Sequence, residues 1–384
     1  MSNPALRQPI SLKILSNGFL GFWCLVAAFP ILWIGFMSFK TPLDAFDSNP
    51  FRVILGPHTR ETIGGLSFLD LVVGLAIAWI LVRQAIRWLP RKVEEFSPSG
   101  NTTLGWLIGG SVYVLATLLV FVVALPAVLG VINPVAGLLG ANIVGLTTEH
   151  YEAVWIDRGF TRNFANSMIV TTGVVTVSLT VGTLAGYGLA RSDSLIAFWL
   201  LVVALVFRAL PHSVLVSGYL PYFITSSEWL APIFGEAAPT LYGKPWAIIA
   251  VLVAINQPFT IWMLRSFFQN IPPELDEAAR VDGCSHFGAF RRVIVPVMWP
   301  GVITTGLFSF LLAYNDFLVT SLLLDAQNMT MVPAIANMFN RETTASDEVQ
   351  AIAAAVSITA PLFFLVLVFQ RQIVSGLTAG AVKG

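Results

Sequence analysis

The residues of this chain that could do chemistry are mostly scattered. Its four histidines, His58, His150, His212 and His286, show no H-E-x-x-H spacing, and Gly243-Lys244-Pro245 lacks the spacing of a phosphate-binding loop. No Ser/His/Asp set and no metal-ligand cluster can be recognised. We therefore expect a chain that is not an enzyme by itself and that binds no cofactor.

One charged segment, Glu274–Pro296, stands between long apolar runs. Pro272 and Pro273 are expected to stop one helix, and acidic residues load the first turn of the next, where the helix dipole favours negative charge. Gly283 permits a sharp break. A second short helix is predicted after it, with the apolar stripe Phe287, Phe290, Val293 and Ile294. A helix–turn–helix outside the bilayer has little to pack on except another protein, so we predict a docking element.

The amino-acid composition indicates the class of protein in which this charged segment lies. The chain is 56% hydrophobic and 11% charged, whereas soluble proteins carry roughly 25% charged residues. This predicts an all-α integral membrane protein, and the net charge of +0 argues against nucleic acid as a partner. Cys24 and Cys284 fall in different environments, so no disulfide is expected. The apolar run after Lys13 is too long for a cleavable signal peptide.

Hydropathy predicts eight spans of about 20 residues each. Lys and Arg are more frequent in the segments that lie inside when the N-terminus is cytoplasmic, so both termini and the docking element are predicted to face the cytoplasm. The predicted spans are 14–39, 67–82, 104–132, 164–190, 195–219, 246–264, 301–324 and 351–369.

Polar residues inside predicted spans are costly and usually face a cavity or a partner. Asn256 and Gln257 lie in the sixth span and Asn315 and Asp316 in the seventh, while Arg208 lies in the fifth. They could line a pathway, or Asp316 could form a structural pair with Arg208, and the sequence favours neither. The fourth span carries Gly182-Thr-Leu-Ala-Gly186, a G-x-x-x-G pattern that predicts close helix packing.

The spacing of the docking element resembles a known family. Glu277-Ala278-Ala279, three residues, Gly283, nine residues and then Val293-Ile294-Val295-Pro296 is similar to the EAA motif, E-A-A–x3–G–x9–I-x-L-P, of binding-protein-dependent ABC importer permeases. Valine replaces the usual Ile and Leu at 293 and 295. Further segments resemble the carbohydrate permeases of the maltose type (MalG-like): 38–42, 146–151, 166–167, 187–191, 265–268, 315–317 and the tail 376–384.

The resemblance implies a six-span type I ABC importer permease core, and in this chain an inserted two-span hairpin brings the total to eight transmembrane helices. The implied division is 1–58 (first span and start of a periplasmic loop), 59–145 (the hairpin) and 146–384 (the core, with the coupling loop 274–296 and the tail 370–384). The chain length is similar to that of alpha-glucoside permeases. The role of the hairpin and the identity of the sugar are not given by the sequence.

The resemblance also implies site residues. Residues that couple to an ATPase are Glu274, Glu277, Ala278, Ala279, Asp282, Gly283 and Pro296, and the tail adds Gly376, Gly380 and Lys383. Candidates for the translocation path are Asn256, Gln257, Tyr314, Asn315 and Asp316. The loop 325–350 is implied to contact a binding protein, through Met329, Met331 and Asn337.

The implied function is that of a permease subunit of a sugar importer in the bacterial inner membrane, which couples ATP hydrolysis to alternating access. Its implied partners are a homologous second permease subunit in a heterodimer, an ATPase dimer that binds ATP and Mg²⁺, and a periplasmic sugar-binding protein. The alternative is a proton-coupled secondary carrier that uses Asp316 and Arg208.

Overall fold

The computed structural model of the chain describes residues 10–87, 102–210, 212–339 and 344–381, which are mostly helical. Within these residues, six helices are long and apolar enough to cross a membrane: Ile14–Ser38, Phe68–Ala85, Gly109–Ile132, Phe160–Ala190, Pro245–Phe268 and His286–Tyr314. Leu195–Arg208 and Leu215–Ile224 are shorter apolar helices. The chain divides into two compact units, residues 1–158 with 338–363 and residues 159–337 with 364–384.

The first unit begins with one long helix and continues through short ones to a helix pair. Its elements are α1 (Ile10–Ser38), α2 (Pro42–Ala45), α3 (Pro50–Leu55), α4 (Pro57–Thr62), β1 (Gly65–Ser67), α5 (Phe68–Arg87), α6 (Thr102–Leu119), α7 (Leu125–Ile132), β2 (Asn142–Gly145) and α8 (Glu149–Glu152). A π-helical turn, Val120–Ala124, joins α6 to α7, whose second residue is Pro126. Wide turns of this kind re-accommodate the hydrogen bond that a proline removes.

The chain segment that contains α5, α6 and α7 begins and ends at neighbouring points. β1 and β2 are antiparallel, with Gly65 opposite Gly145. Beside this ribbon, the Asn133 amide donates to both carboxylate oxygens of Asp70 at 3.1 Å, and Ser67 Oγ donates to Asn133 Oδ1. The start of α5 and the end of α7 are therefore held next to each other, and the insertion of this segment as a hairpin stays a prediction.

A buried polar network fixes the segment that follows α1. Lys40 Nζ donates to the carbonyl oxygen of Gly145, and His150 Nε2 lies 2.8 Å from the Lys40 carbonyl oxygen. Asp44 accepts from Thr59, at 2.6 Å from the backbone nitrogen and 2.7 Å from Oγ1. Burial lowers the pKa of Lys40, and the nearby Asp44 carboxylate partly opposes this. Burial also lowers the pKa of His150.

The second unit is a bundle around three long helices. Its elements are α9 (Phe160–Ala190), α10 (Leu195–Arg208), α11 (His212–Ile224), α12 (Ser226–Phe234), α13 (Pro245–Phe268), α14 (Glu274–Val281), α15 (His286–Ala289), α16 (Val295–Tyr314), α17 (Leu318–Leu323) and α18 (Met331–Asn337). The last helix, α19 (Ala345–Ala381), starts in the first unit and ends in the second.

The close helix packing predicted from the G-x-x-x-G pattern of α9 is confirmed, and the helix that packs there is α13. A Cβ built on Gly182 would lie 2.6 Å from Thr260 Cγ2, and one on Gly186 would lie 3.0 Å from the backbone nitrogen of Arg265. Because glycine has no Cβ, the two backbones can approach this closely.

Several predicted span boundaries were wrong. The fifth predicted span, 195–219, is not one helix: α10 ends at Arg208 and α11 begins at His212. The sequence has a proline at position 211, and a proline disfavours helical geometry in the residue before it. The seventh predicted span, 301–324, is not one helix either. α16 ends at Tyr314, and Asn315–Phe317 separates it from α17. The short second helix predicted after Gly283 is instead the start of one continuous helix from His286 to Tyr314. The tail predicted from residue 370 continues α19 to Ala381.

Candidate functional site

The predicted coupling loop forms α14, a sharp turn and the start of the helix that follows. Glu274, Asp276 and Glu277 lie in the first turn of α14, at the positive end of its dipole. After the helix, Gly283 has φ +90°, a conformation that side chains other than glycine adopt with strain. The turn that the sequence predicted at Gly283 is thus present. Ser285 then caps the next helix by accepting from the Gly288 backbone nitrogen at 3.1 Å.

The two faces of α14 have different surroundings. Asp276 and Ala279, three residues apart, are 8% and 5% exposed and point into the protein. The opposite face is exposed and mixes charge with apolar surface: Glu274, Leu275, Glu277, Ala278 and Val281. Val281 is 87% exposed, and Phe287 beyond the turn is 63% exposed. Large apolar side chains this open, next to charged ones, are typical of a surface that binds another protein.

Six of the seven predicted ATPase-coupling residues are exposed. Glu274, Glu277, Ala278, Asp282 and Gly283 are exposed, and so is Pro296 near the start of α16. Ala279 differs, because its methyl group is buried against the chain itself. Those from Glu274 to Gly283 lie in α14 and the turn after it, and Pro296 lies in α16. Their contact with an ATPase stays a prediction.

The residue that sequence reasoning did not select is Asp276. Its Oδ1 accepts from the Tyr187 hydroxyl at 2.7 Å, and its Oδ2 accepts from Arg191 Nε at 2.8 Å. Tyr187 and Arg191 end α9, in a segment noted only for its resemblance to maltose-type permeases. The sequence held one signal for this contact, namely that Asp276 and Ala279 form an i, i+3 pair on the side away from Glu277.

An apolar cluster supports these contacts. The Tyr187 ring packs against Phe268 and Phe290, with ring centroids 5.6 Å and 4.7 Å apart. Phe290 starts the π-helical turn Phe290–Ile294 that leads into α16. The buried members of the cluster are Leu264, Phe268, Ile271, Phe290, Ile294, Met298 and Val302.

The predicted path residues fall in three settings. Asn256 is 1% exposed, and its Nδ2 donates to Ser309 Oγ at 2.7 Å, so it joins α13 to α16 inside the bundle. Gln257 Nε2 donates to the Ser178 carbonyl oxygen at 3.4 Å. Tyr314 is also buried, whereas Asn315 is exposed and Asp316 is half-buried.

Arg208 and Asp316, the two members of the predicted pair, each have a contact with another residue in the described part of the chain. The Arg208 guanidinium lies 4.8 Å from the centroid of the Phe259 ring. Asp316 Oδ1 accepts from the Thr320 backbone nitrogen at 2.9 Å, at the start of α17.

The predicted binding-protein loop is held by its backbone. The Met329 carbonyl oxygen accepts from Asn163 Nδ2 at 3.0 Å and from Asn166 Nδ2 at 3.1 Å. Met331 is buried, with its backbone nitrogen donating to Ser167 Oγ, so its side chain is not available on the surface. Asn337 is exposed. In the tail, Gly376 and Gly380 lie in α19, and Lys383 lies outside the described residues.

Comparison with known proteins supports the resemblance noted from the motif. The trehalose transport system permease protein SugB of Mycobacterium tuberculosis is 33% identical over 242 residues, covering 62% of this chain and 83% of that protein. The trehalose/maltose transport system permease protein MalG of Thermococcus litoralis is 31% identical over 240 residues, covering 62% and 82%.

A solved structure shows the same fold. A chain of a bacterial ABC transporter involved in the import of the acidic polysaccharide alginate aligns with a TM-score of 0.56 over 95% of this chain and 98% of that one, at 15% identity.

The family match covers most of the second unit, including the coupling loop. Residues 178–378, more than half of the chain, match the family described as binding-protein-dependent transport system inner membrane component. This region holds α14, the end of α9 and the contacts between them. The chain is a multi-pass membrane protein, and it belongs to the family of binding-protein-dependent transport system inner membrane components, the permease subunits of ABC transporters.

Proposed function

We propose that this chain is one of two permease subunits of an ATP-driven importer that takes up a sugar delivered by a binding protein. The observation that carries the proposal is the exposed face of α14. That face presents Glu274, Glu277 and Ala278 beside open apolar side chains, while the opposite face is anchored in the bundle. Such a surface suits a partner that moves the helix, and the ATPase is that partner.

The names of two relatives support a proposal for the substrate class. Two of them are transport proteins for trehalose and for trehalose/maltose. We infer that the cargo is a disaccharide, with alpha-glucosides as the first candidates. ATP and Mg²⁺ belong to the ATPase dimer. Closure of that dimer shifts the bundle from inward-facing to outward-facing, and the loaded binding protein stabilises the outward state by its higher affinity for that state.

The remaining parts of the proposal concern placement. The protein lies in the bacterial inner membrane with both termini and α14 in the cytoplasm. A homologous second permease completes the path, with Asn315 and Asp316 as lining candidates. The exposed Asn337 contacts the binding protein on the outer side, and the end of α19 gives the ATPase a second contact.

The test is Glu277→Lys in the complex of both permeases, the ATPase and the binding protein. We expect the variant to insert normally but to lose ATPase from the purified complex and to lose ATP-dependent uptake in vesicles. Glu236→Lys is the matched control, since Glu236 is an exposed acid in the turn Gly235–Ala237, outside α14. It should behave like the wild type.

Two results would contradict the proposal. One is normal ATPase binding and normal uptake by Glu277→Lys. The other is uptake that persists without ATP and collapses with the proton gradient, which would instead support a proton-coupled carrier using Asp316 and Arg208.

A further inference from the structure

Three helix ends meet at one carboxylate on the inner face of α14. The Asp276 side chain accepts from Tyr187 and Arg191 at the end of α9, and Arg191 Nη1 also donates to the Phe268 carbonyl oxygen at 3.4 Å. Phe268 is the last residue of α13. We call the side chains of Tyr187, Arg191 and Asp276 the clasp.

Charge and helix geometry both favour the clasp. The Asp276 carboxylate lies in the first turn of α14, where the dipole is positive, and the Arg191 guanidinium lies at the C-terminal end of α9, where it is negative. The exposed fractions of the two side chains are 20% for Arg191 and 12% for Asp276. A charge-assisted hydrogen bond between side chains that are mostly shielded from water is stronger than an ion pair on the surface.

Besides the clasp, α14 is joined to the bundle through the chain on either side of it and through Ala279. The chain leaves the helix through Gly283, a residue with high backbone freedom. On the inner face of α14, the buried side chain besides Asp276 is the methyl group of Ala279. The clasp therefore gives α14 a charge-assisted link to α9 in addition to its chain connections and the Ala279 contact.

We propose that the clasp transmits the movement of α14 to α9 and α13, so that Asp276, Tyr187 and Arg191 are positioning residues for transport and are distinct from the residues that bind the ATPase. This inference rests on the proposed function, because it takes the outer face of α14 as the ATPase contact. α14 then has two separable roles: Glu277 and its neighbours hold the ATPase, and Asp276 holds the bundle.

The experiment measures transport and ATP hydrolysis in the same preparation of the full complex. Asp276→Asn keeps the size of the side chain and removes its charge, and Tyr187→Phe removes one hydroxyl. Couplings within hydrogen-bonded networks correspond to factors of about 2 to 100. We expect Asp276→Asn to retain the ATPase at normal stoichiometry and to lower the sugar transported per ATP hydrolysed about tenfold.

The double variant gives a readout that a merely structural role would not produce. Tyr187→Phe should lower the same ratio, and Asp276→Asn with Tyr187→Phe should be no worse than Asp276→Asn alone, because the hydroxyl has already lost its charged partner. Asp193→Asn is the matched control: Asp193 is an exposed acid just after α9. Its ratio should equal that of the wild type.

The possible failures are distinguishable. Loss of the ATPase from the Asp276→Asn complex would assign this residue to docking and overturn the clasp. An unchanged ratio, with transport and hydrolysis falling together, would also overturn it. If Asp276→Asn does not assemble, an unchanged ratio in Tyr187→Phe has the same consequence. A wild-type complex without ATP-dependent uptake would instead refute the proposed function.

Discussion

The packing of α9 against α13 allows a test in which one methyl group is added and another removed. Gly182→Ala places a Cβ 2.6 Å from Thr260 Cγ2, closer than two carbon atoms can approach. Thr260 is fully buried, and its hydroxyl bonds to the Asn256 carbonyl oxygen at 3.2 Å, so rotating this side chain away would break that contact. The added methyl group therefore has to separate the helices or break a hydrogen bond.

Overpacking of this kind costs about 1–3 kcal/mol. Alanine is a better helix former than glycine, but membrane spans remain largely helical when their tertiary packing is lost, so most of that advantage cancels. We expect Gly182→Ala to lower the free energy of unfolding by about 1–3 kcal/mol.

Two further variants isolate the cause. Gly188 lies in the same helix with nothing within 4 Å of an added Cβ, so Gly188→Ala should change stability by less than about 0.5 kcal/mol. Thr260→Ser removes Cγ2, the atom in the clash, and keeps the hydroxyl. The combination of Gly182→Ala with Thr260→Ser should therefore recover at least about 1 kcal/mol relative to the sum of the single changes.

The assay is reversible unfolding of the purified protein in mixed micelles, with the four proteins compared under identical conditions. Equal stability of Gly182→Ala and Gly188→Ala would contradict the reasoning. So would a double variant whose two effects simply add, because then the methyl–methyl contact is not what destabilises the protein.

Two more predictions concern the coupling turn and the first unit. Gly283→Ala should cost about 1–3 kcal/mol from backbone strain alone, because φ is +90° and an added Cβ meets nothing within 4 Å. It should reduce ATPase retention in pull-down, and full retention would contradict this. Because burial lowers the folded pKa of His150, the unfolded state binds the proton more readily, so stability should be constant above about pH 7 and fall as the pH drops through about 6.5. Thermal unfolding at pH 7.5 and 5.5 checks this. His150→Gln, which keeps an N–H for the Lys40 carbonyl oxygen, should show the smaller pH dependence, and an equal pH dependence in both proteins would contradict the assignment.

Features set by local chemistry were predictable from the sequence. The acidic first turn of α14, the break at Gly283 and the close packing at Gly182 each depend on one or two residues whose backbone or charge preference is strong. The same holds for the membrane-length helices, since a long apolar run has few other solutions.

Boundaries set by tertiary contacts were not predictable. A π-helical turn, Phe290–Ile294, carries the chain into α16 without a break, although Pro296 made a separate short helix reasonable. Asn315–Phe317 ends α16 inside an apolar run because Asp316 accepts from the Thr320 backbone nitrogen and starts α17. Hydropathy is blind to both effects, since neither changes the number of apolar residues.

The candidate site likewise contains a tertiary contact that the sequence did not predict. Glu277 was selected because it opens the E-A-A motif, and a motif and a charge can be read from a sequence. Asp276 has the same charge and the same helix, but its partners come from a segment 85 and 89 residues away along the chain. One residue step rotates a side chain by about 100° around a helix, so two adjacent carboxylates can lie on different faces of it. The sequence places both acids on α14, and only the fold shows that one faces solvent while the other holds the bundle.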